Sequence, residues 1–96
     1  MIRHTVAFKL KHAAGSESES SFLEAARVLT SIPTVRNFEW LRQVSPKNHF
    51  ELGFSMEFAD QAAYDAYNDH PHHVAFVRDR WQKEVEAFLE IDYERL

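Results

Sequence analysis

The stretch Phe50-Glu51-Leu52-Gly53-Phe54-Ser55-Met56-Glu57-Phe58 has the most regular pattern in the chain and decides the fold. Large apolar residues stand at every second position and are separated by small or acidic ones. Successive side chains of a β-strand point to opposite faces of the sheet, so this pattern predicts a strand with one buried face.

Three further segments alternate in a similar way and complete a sheet of four strands. Ile2–Leu10 opens the chain, and Val35–Ser45 precedes the quoted strand across a turn at Pro46-Lys47-Asn48. That turn is short enough for a hairpin. Ala87–Tyr93 closes the chain as the fourth strand.

Helix signals fill the gaps between these strands. Ser16 followed by Glu19 fits a capping box at the start of a first helix, and Pro33 ends that helix. Asp60 is a favourable N-cap for a second helix, Gln61–Asn68.

A third helix starts at His70-Pro71, since proline is favoured at the first helical position. Four residues at helical spacing mark its inward face: Val74, Val77, Trp81 and Val85. The order is therefore β-α-β-β-α-α-β in one domain over residues 1–96. Right-handed crossovers then predict an α+β, ferredoxin-like sandwich, a four-stranded antiparallel sheet with helices on one face.

Composition restricts the classes of function. The chain has 96 residues, no cysteine and a formal net charge of −4, which removes disulfides, cysteine zinc sites and the basic surface of a nucleic-acid binder. No apolar run approaches the roughly 18 residues that span a bilayer. Met1–Leu10 is too polar for a signal peptide. We therefore expect a cytoplasmic protein without nucleic-acid or membrane partners.

The small size of the domain favours self-association. Such a chain buries only about 60–65% of the surface that it exposes when unfolded, so a single copy is marginally stable. The alternation places Phe38, Trp40 and Phe88 on the face that the helices leave open, and this aromatic surface favours an interface. We expect a homodimer through the open sheet face.

Six histidines are spread over the chain. His4 falls on the apolar face of the first strand, His73 on the inward side of the third helix, and Tyr67 at the end of the second helix. Histidine titrates near neutrality and a tyrosine hydroxyl can donate to a carbonyl oxygen, so the three predict an acid–base site in a sheet–helix cleft. The apolar wall of that cleft would come from Val6, Phe22, Phe54 and Phe76.

Two other interpretations of the histidines stay open. His4 and His73 can be core histidines that bond to the backbone or to Tyr67. Asp69 and His70-Pro71-His72-His73 supply nitrogen and oxygen ligands for a metal, but the proline constrains them and no zinc-site spacing is present. We therefore predict no metal and no cofactor, and we assign no role to His12, His49 or His72.

Several of these stretches resemble the stress-responsive A/B barrel (Dabb) family. The most specific is Tyr-x-x-His-Pro-x-His over Tyr67–His73, and the general pattern also matches at Ile2-Arg3-His4, Ile32-Pro33, Leu52–Phe58 and Asp92-Tyr93-Glu94. The resemblance covers essentially the whole chain. It implies a dimeric ferredoxin-like α/β barrel in which two sheets face each other and the helices lie outside.

The resemblance implies less about function, because most members of the family have no assigned reaction. A plant branch acts as cofactor-free polyketide cyclases that use a His/Tyr pair in the cleft. By motif position, the resemblance makes His73 the base, Tyr67 the hydroxyl that holds the carbonyl oxygen, and His4 a further cleft histidine. This chain has Leu52 and Ala25 where that branch has histidine and tyrosine.

The resulting hypothesis is a homodimer that binds a small hydrophobic carbonyl compound, with an acid–base role like that of a cofactor-independent cyclase or lyase if it is an enzyme. One alternative is a non-catalytic stress-response or assembly protein whose functional unit is the dimer. Another, by analogy of architecture alone, is a dimeric ferredoxin-like monooxygenase or haem-binding protein.

Overall fold

An antiparallel sheet forms one layer of the computed structural model, which describes residues 1–96. Its strands are β1 (Ile2–Leu10), β2 (Arg36–Arg42), β3 (Leu52–Phe58) and β4 (Val85–Glu94). They lie in the order β2-β3-β1-β4, so β1 and β3 are central and β2 and β4 are edges. The predicted ferredoxin-like arrangement is confirmed, and the sheet stays open.

Helices cover one face of this sheet. They are α1 (Glu17–Ala25), α2 (Gln61–Asp69) and α3 (Pro71–Phe76). A 3₁₀ segment, Ala26–Ser31, prolongs α1, and a π-helical segment, Val77–Trp81, followed by a last turn, Gln82–Glu84, prolongs α3. None of these helices is long and apolar enough to cross a membrane.

The helices begin where the sequence places their caps. The side chains of Ser16 and Asp60 each accept a hydrogen bond from the amide three residues further along the chain. At α3, His70 Nδ1 accepts from the amide of His72, and Pro71 occupies the first turn. These caps satisfy amides that a helix N-terminus leaves without partners.

The core lies between the sheet and the helices. The quoted β3 alternation is confirmed, because its four apolar residues from Leu52 to Phe58 are at most 3% exposed. Phe8 of β1 is fully buried, and its ring centre lies 4.8 Å from that of Phe54 and 5.0 Å from that of Trp81. The two central strands therefore supply the apolar floor on which the helices pack.

The aromatic residues predicted for the open face lie on the helix side. Trp40 pairs with Phe54 and Phe88 pairs with Phe8, and directly paired residues of neighbouring strands point to the same face. The ring centre of Phe38 lies 5.3 Å from that of Phe54. The prediction was wrong because the pairing register, which alternation does not reveal, decides which face of an edge strand is buried.

The open face carries a different apolar surface. Its larger side chains, all 40–54% exposed, form what we call the open-face patch: Leu41, Leu89, Ile91 and Tyr93. Small residues of β1 and β3 lie between them, including Ala7 and Gly53, which pair directly. Uncovered apolar surface therefore does exist on this face, but it is mostly aliphatic.

Further details differ from the sequence prediction, and among them Val85, predicted on the third helix, begins β4. Val74 is 48% exposed, because the inward stripe of α3 consists of His73, Phe76 and Val77, and Val74 lies beside it. The second strand is shorter than Val35–Ser45 at both ends.

Candidate functional site

A cavity of about 390 Å³ opens between the sheet and α3. Its apolar lining comes from both layers: Val6, Leu29, Phe54, Met56, Phe76, Val77, Trp81 and Phe88. Three of the four predicted wall residues line it, but Phe22 does not. Phe22 is fully buried behind the wall, because the rings of Phe8 and Phe76 enclose it, with ring centres 5.8 Å and 5.4 Å away.

The predicted Tyr67–His73 pair stands together in this cavity. The turn between α2 and α3 brings the two ring centres within 4.3 Å. Tyr67 is 3% exposed, lines the cavity, and its hydroxyl has no hydrogen-bond partner within the chain. Burial, with a contribution from the charge of Glu90, raises the pKa of Tyr67, so the hydroxyl is a neutral hydrogen-bond donor.

The hydrogen bond of His73 fixes which ring nitrogen carries the proton. His73 Nδ1 lies 3.1 Å from the carbonyl oxygen of Asn68, and a carbonyl can only accept. The geometry therefore assigns the proton of the neutral ring to Nδ1 and leaves a lone pair on Nε2. Burial lowers the pKa of His73, so that the ring is neutral near pH 7 and available as a proton acceptor.

Two residues that the sequence analysis missed hold His4. His4 Nδ1 lies 2.6 Å from Asp92 Oδ1 and 2.8 Å from the hydroxyl of Tyr64, which donates to Asp92 Oδ2 at 2.9 Å. Asp92 pairs directly with His4 across β1 and β4. Since a carboxylate accepts from Nδ1, it orients the ring and keeps the proton on that nitrogen.

A signal for one of the two missed residues was present in the pattern. Tyr64 stands three residues before Tyr67 on α2, and side chains at that spacing share one helix face. Asp92 had no such signal, because its position beside His4 depends on the pairing of β1 with β4. Burial, followed by the hydrogen bond to Asp92, raises the pKa of Tyr64.

The structure brings His4, Tyr67 and His73 to one end of the cavity. All three line it, and the ring centre of His4 lies 6.2 Å from that of Tyr67. Three polar residues missed by the sequence analysis complete the lining: Asn68, Gln82 and Glu90. Glu90, which pairs with Val6, is exposed, and no lysine or arginine lines the cavity.

The remaining histidines lie outside this site. His12 Nε2 lies 2.7 Å from Glu84 Oε1, so it links the end of β1 to the turn before β4 and is not without a role. His72 Nδ1 lies 3.0 Å from Ser31 Oγ. No group of three or more histidine, aspartate or glutamate side chains is arranged to hold a metal ion.

Comparisons with known proteins agree with this architecture. A family model described as the stress responsive A/B barrel domain matches residues 2–95. A Dabb family protein with a ferredoxin-like fold from Mesorhizobium loti is 64% identical, with a TM-score of 0.97 over 99% of this chain and 96% of that one. No curated protein matches the chain.

Two more distant structures share the fold alone. A dimeric ferredoxin-like protein of unknown function from Thermobifida fusca is 17% identical, with a TM-score of 0.81 over 98% of this chain and 90% of that one. Hydroxynitrile lyase from Passiflora edulis is 16% identical, with a TM-score of 0.82 over 96% of this chain and 90% of that one.

Proposed function

The chain belongs to the stress responsive A/B barrel (Dabb) family, and from this premise we propose that it binds a small hydrophobic carbonyl compound in the cavity between the sheet and α3. The observation that carries the proposal is the unpaired hydroxyl of Tyr67 inside a cavity whose wall is mostly apolar. Cavities that bind small molecules typically combine an apolar wall with a few fixed polar groups. A carbonyl oxygen would give this hydroxyl the acceptor that the chain does not provide.

His73 extends the proposal from binding to acid–base chemistry. With a ligand carbonyl on Tyr67, the lone pair of His73 Nε2 can take a proton from the carbon beside that carbonyl. The electron pair of the broken C–H bond moves to the carbonyl oxygen, where the Tyr67 hydroxyl stabilises the enolate by donating a hydrogen bond. The proton then returns from His73 to that carbon, which restores the carbonyl compound and the neutral ring. This exchange requires no cofactor.

The fold of this chain is compatible with such chemistry. One structural neighbour is a hydroxynitrile lyase, so the fold hosts at least one enzyme. Because that enzyme is only 16% identical, any reaction of this chain has to be argued from its own site. Here His4, held by Asp92 and Tyr64, gives the cavity a second imidazole whose Nε2 is free of that network.

The proposed unit is a homodimer formed through the open-face patch. A neighbour with the same fold is described as dimeric. Two copies placed face to face would form the α/β barrel of the family and would cover Leu89 and Ile91, which are half-exposed in the single chain. Its proposed location is the cytoplasm, which cell fractionation tests.

A ligand screen by thermal shift tests the binding proposal. Small aromatic ketones and aldehydes should raise the melting temperature of the wild type, and Tyr67→Phe should weaken binding about tenfold, since it removes one buried hydrogen bond. Tyr93→Phe is the matched control, because Tyr93 lies half-exposed on the open face. Equal ligand affinity in Tyr67→Phe and Tyr93→Phe would refute the assignment of the Tyr67 hydroxyl.

A non-catalytic assembly protein is the second candidate, and the open-face patch is the observation in its favour. In that case the chain would associate in sedimentation experiments, yet no carbonyl compound would stabilise it. The same screen therefore separates the two candidates.

A further inference from the structure

We propose that Glu90 makes this cavity selective for carbonyl compounds that also carry a protonated amine. The inference rests on the proposed function, because it assigns a second polar contact to the same ligand. It adds a charge preference and a specificity residue that the Tyr67–His73 pair does not provide.

The first support is the charge balance of the lining. Glu90 is the one acidic residue that lines the cavity, and no lysine or arginine accompanies it. Glu90 forms no ion pair within the chain, whereas the neighbouring Asp92 is engaged by His4 and Tyr64, and Glu84 by Arg80 and His12. The carboxylate of Glu90 is therefore a free negative charge at the edge of an apolar space.

The second support is the cost of covering this carboxylate. The side chain of Glu90 is exposed to solvent. A ligand that fills the cavity removes water from it, and burying an unpaired charge is expensive unless the ligand pairs with it. An ammonium group supplies that pairing, whereas a carboxylate on the ligand adds repulsion.

The third support is the aromatic surface beside Glu90. Trp81 and Phe88 both line the cavity and meet edge to face, with ring centres 5.6 Å apart. Aromatic faces attract cations, most strongly on tryptophan. A carboxylate next to these rings is a suitable site for an organic ammonium group.

The strand spacing sets the distance between the two polar contacts. Along β4, Phe88, Glu90 and Asp92 occupy successive positions on the helix side, and Asp92 pairs with His4 beside Tyr67. Two residues of a strand span roughly 7 Å. A ligand that meets both Glu90 and Tyr67 would therefore carry its amine and its carbonyl on opposite sides of a body such as one aromatic ring.

Three probes of equal shape test this charge preference. They are acetophenones with an aminomethyl, a hydroxymethyl or a carboxylate group at the 4-position, and isothermal titration gives their dissociation constants. We expect wild-type protein to bind the aminomethyl probe at least about tenfold more tightly than the carboxylate, a difference that a single desolvated ion pair can supply. Glu90→Gln should reduce that preference to within about twofold, since the amide keeps the shape and removes the charge.

Glu86→Gln is the matched control. Glu86 lies on the same strand and its substitution changes the net charge equally, but its carboxylate lies 3.7 Å from Lys9 Nζ and it does not line the cavity. Its preference among the probes should equal that of the wild type. A loss of preference in Glu86→Gln as large as in Glu90→Gln would show a long-range charge effect and overturn the proposal.

The outcomes separate this inference from the proposed function. If the wild type binds all three probes with equal affinity and Tyr67→Phe weakens each of them, the role of Glu90 is overturned and carbonyl binding stands. Tighter binding of the carboxylate probe also overturns the role of Glu90. If no probe binds to the wild type at millimolar concentration, both proposals fail.

Discussion

The two faces of the sheet are built from alternate residues of the same strands, yet the helices of the chain cover only one of them. On the helix side Phe8 is fully buried, whereas on the open side Leu89, paired with its neighbour Ala7, is half-exposed. The covered face also encloses polar groups, above all Tyr67 and His73, within an apolar wall. The comparison teaches that the helices enclose a cavity on one face of the sheet and leave apolar side chains uncovered on the other.

The covered face is the more sensitive to substitution. Phe8→Ala should lower the free energy of unfolding by about 3–5 kcal/mol, because the ring is fully enclosed by Phe54, Trp81 and other core side chains. Urea denaturation measures the loss. The corresponding change on the open face, Leu89→Ala, should cost less at low protein concentration and more as the concentration rises, because in the proposed dimer its contacts are made between copies. Equal, concentration-independent costs would contradict the contrast between the faces.

A charge placed in the open-face patch should separate the dimer without unfolding the chain. Leu89→Asp buries a carboxylate in the proposed interface, so we expect the dimer dissociation constant to rise about thirtyfold or more, measured by analytical ultracentrifugation. Circular dichroism should show the same secondary structure as in the wild type.

Val74→Asp is the control for that experiment. Val74 on α3 is 48% exposed and Leu89 is 50% exposed, so the two substitutions alter equally accessible apolar side chains on opposite sides of the sheet. Only Leu89→Asp should change the association. Dissociation by Val74→Asp instead would place the interface on the helices.

Removal of a tyrosine hydroxyl should lower the free energy of unfolding on the covered face but not on the open face. Tyr64→Phe removes the hydroxyl that bonds to both His4 and Asp92, and we expect a loss of about 1–2 kcal/mol in the free energy of unfolding. The half-exposed Tyr93 provides the matched change, Tyr93→Phe, which should have little effect at low protein concentration, where the open-face patch is not covered by a second copy. Equal effects of the two substitutions would mean that the His4 network does not stabilise the fold.

The central strands and the covered site were largely predictable from the sequence. The alternation in β1 and β3 is strong because both strands bury one complete face, so His4 could be placed correctly. Tyr67 and His73 follow from helix caps and spacing, which are local signals. Local patterns thus sufficed wherever one element determines its own buried face.

The edge strands and the hydrogen-bond partners were not predictable in this way. Trp40 and Phe88 were assigned to the wrong face, because their orientation depends on pairing with Phe54 and Phe8. Asp92 reaches His4 across 88 positions of sequence, and no periodicity encodes such a contact. The pairing register of the strands is therefore what the sequence does not predict. This register determines which side chains form the open-face patch and places Asp92 beside His4.

The smallest expected effect is a pH dependence from the covered face. Burial lowers the pKa of His73 in the folded chain, whereas an unfolded histidine titrates near 6.5, about its ordinary value. As the pH falls through that value, the unfolded chain binds a proton at His73 more readily than the folded chain does, so the free energy of unfolding decreases. Above it both states are neutral at this residue and His73 contributes no pH dependence.

The measurement compares wild type and His73→Gln by urea denaturation at about pH 7.5 and about pH 5.5, on either side of the unfolded pKa. The wild type should lose more stability towards acid than His73→Gln, because the variant lacks the group whose protonation is impeded by burial. His49→Gln removes an exposed imidazole between β2 and β3 and should follow the wild type. If His73→Gln also follows the wild type, the ring is protonated as easily in the folded chain as in the unfolded one. That outcome would contradict the lowered pKa of His73 in the folded chain.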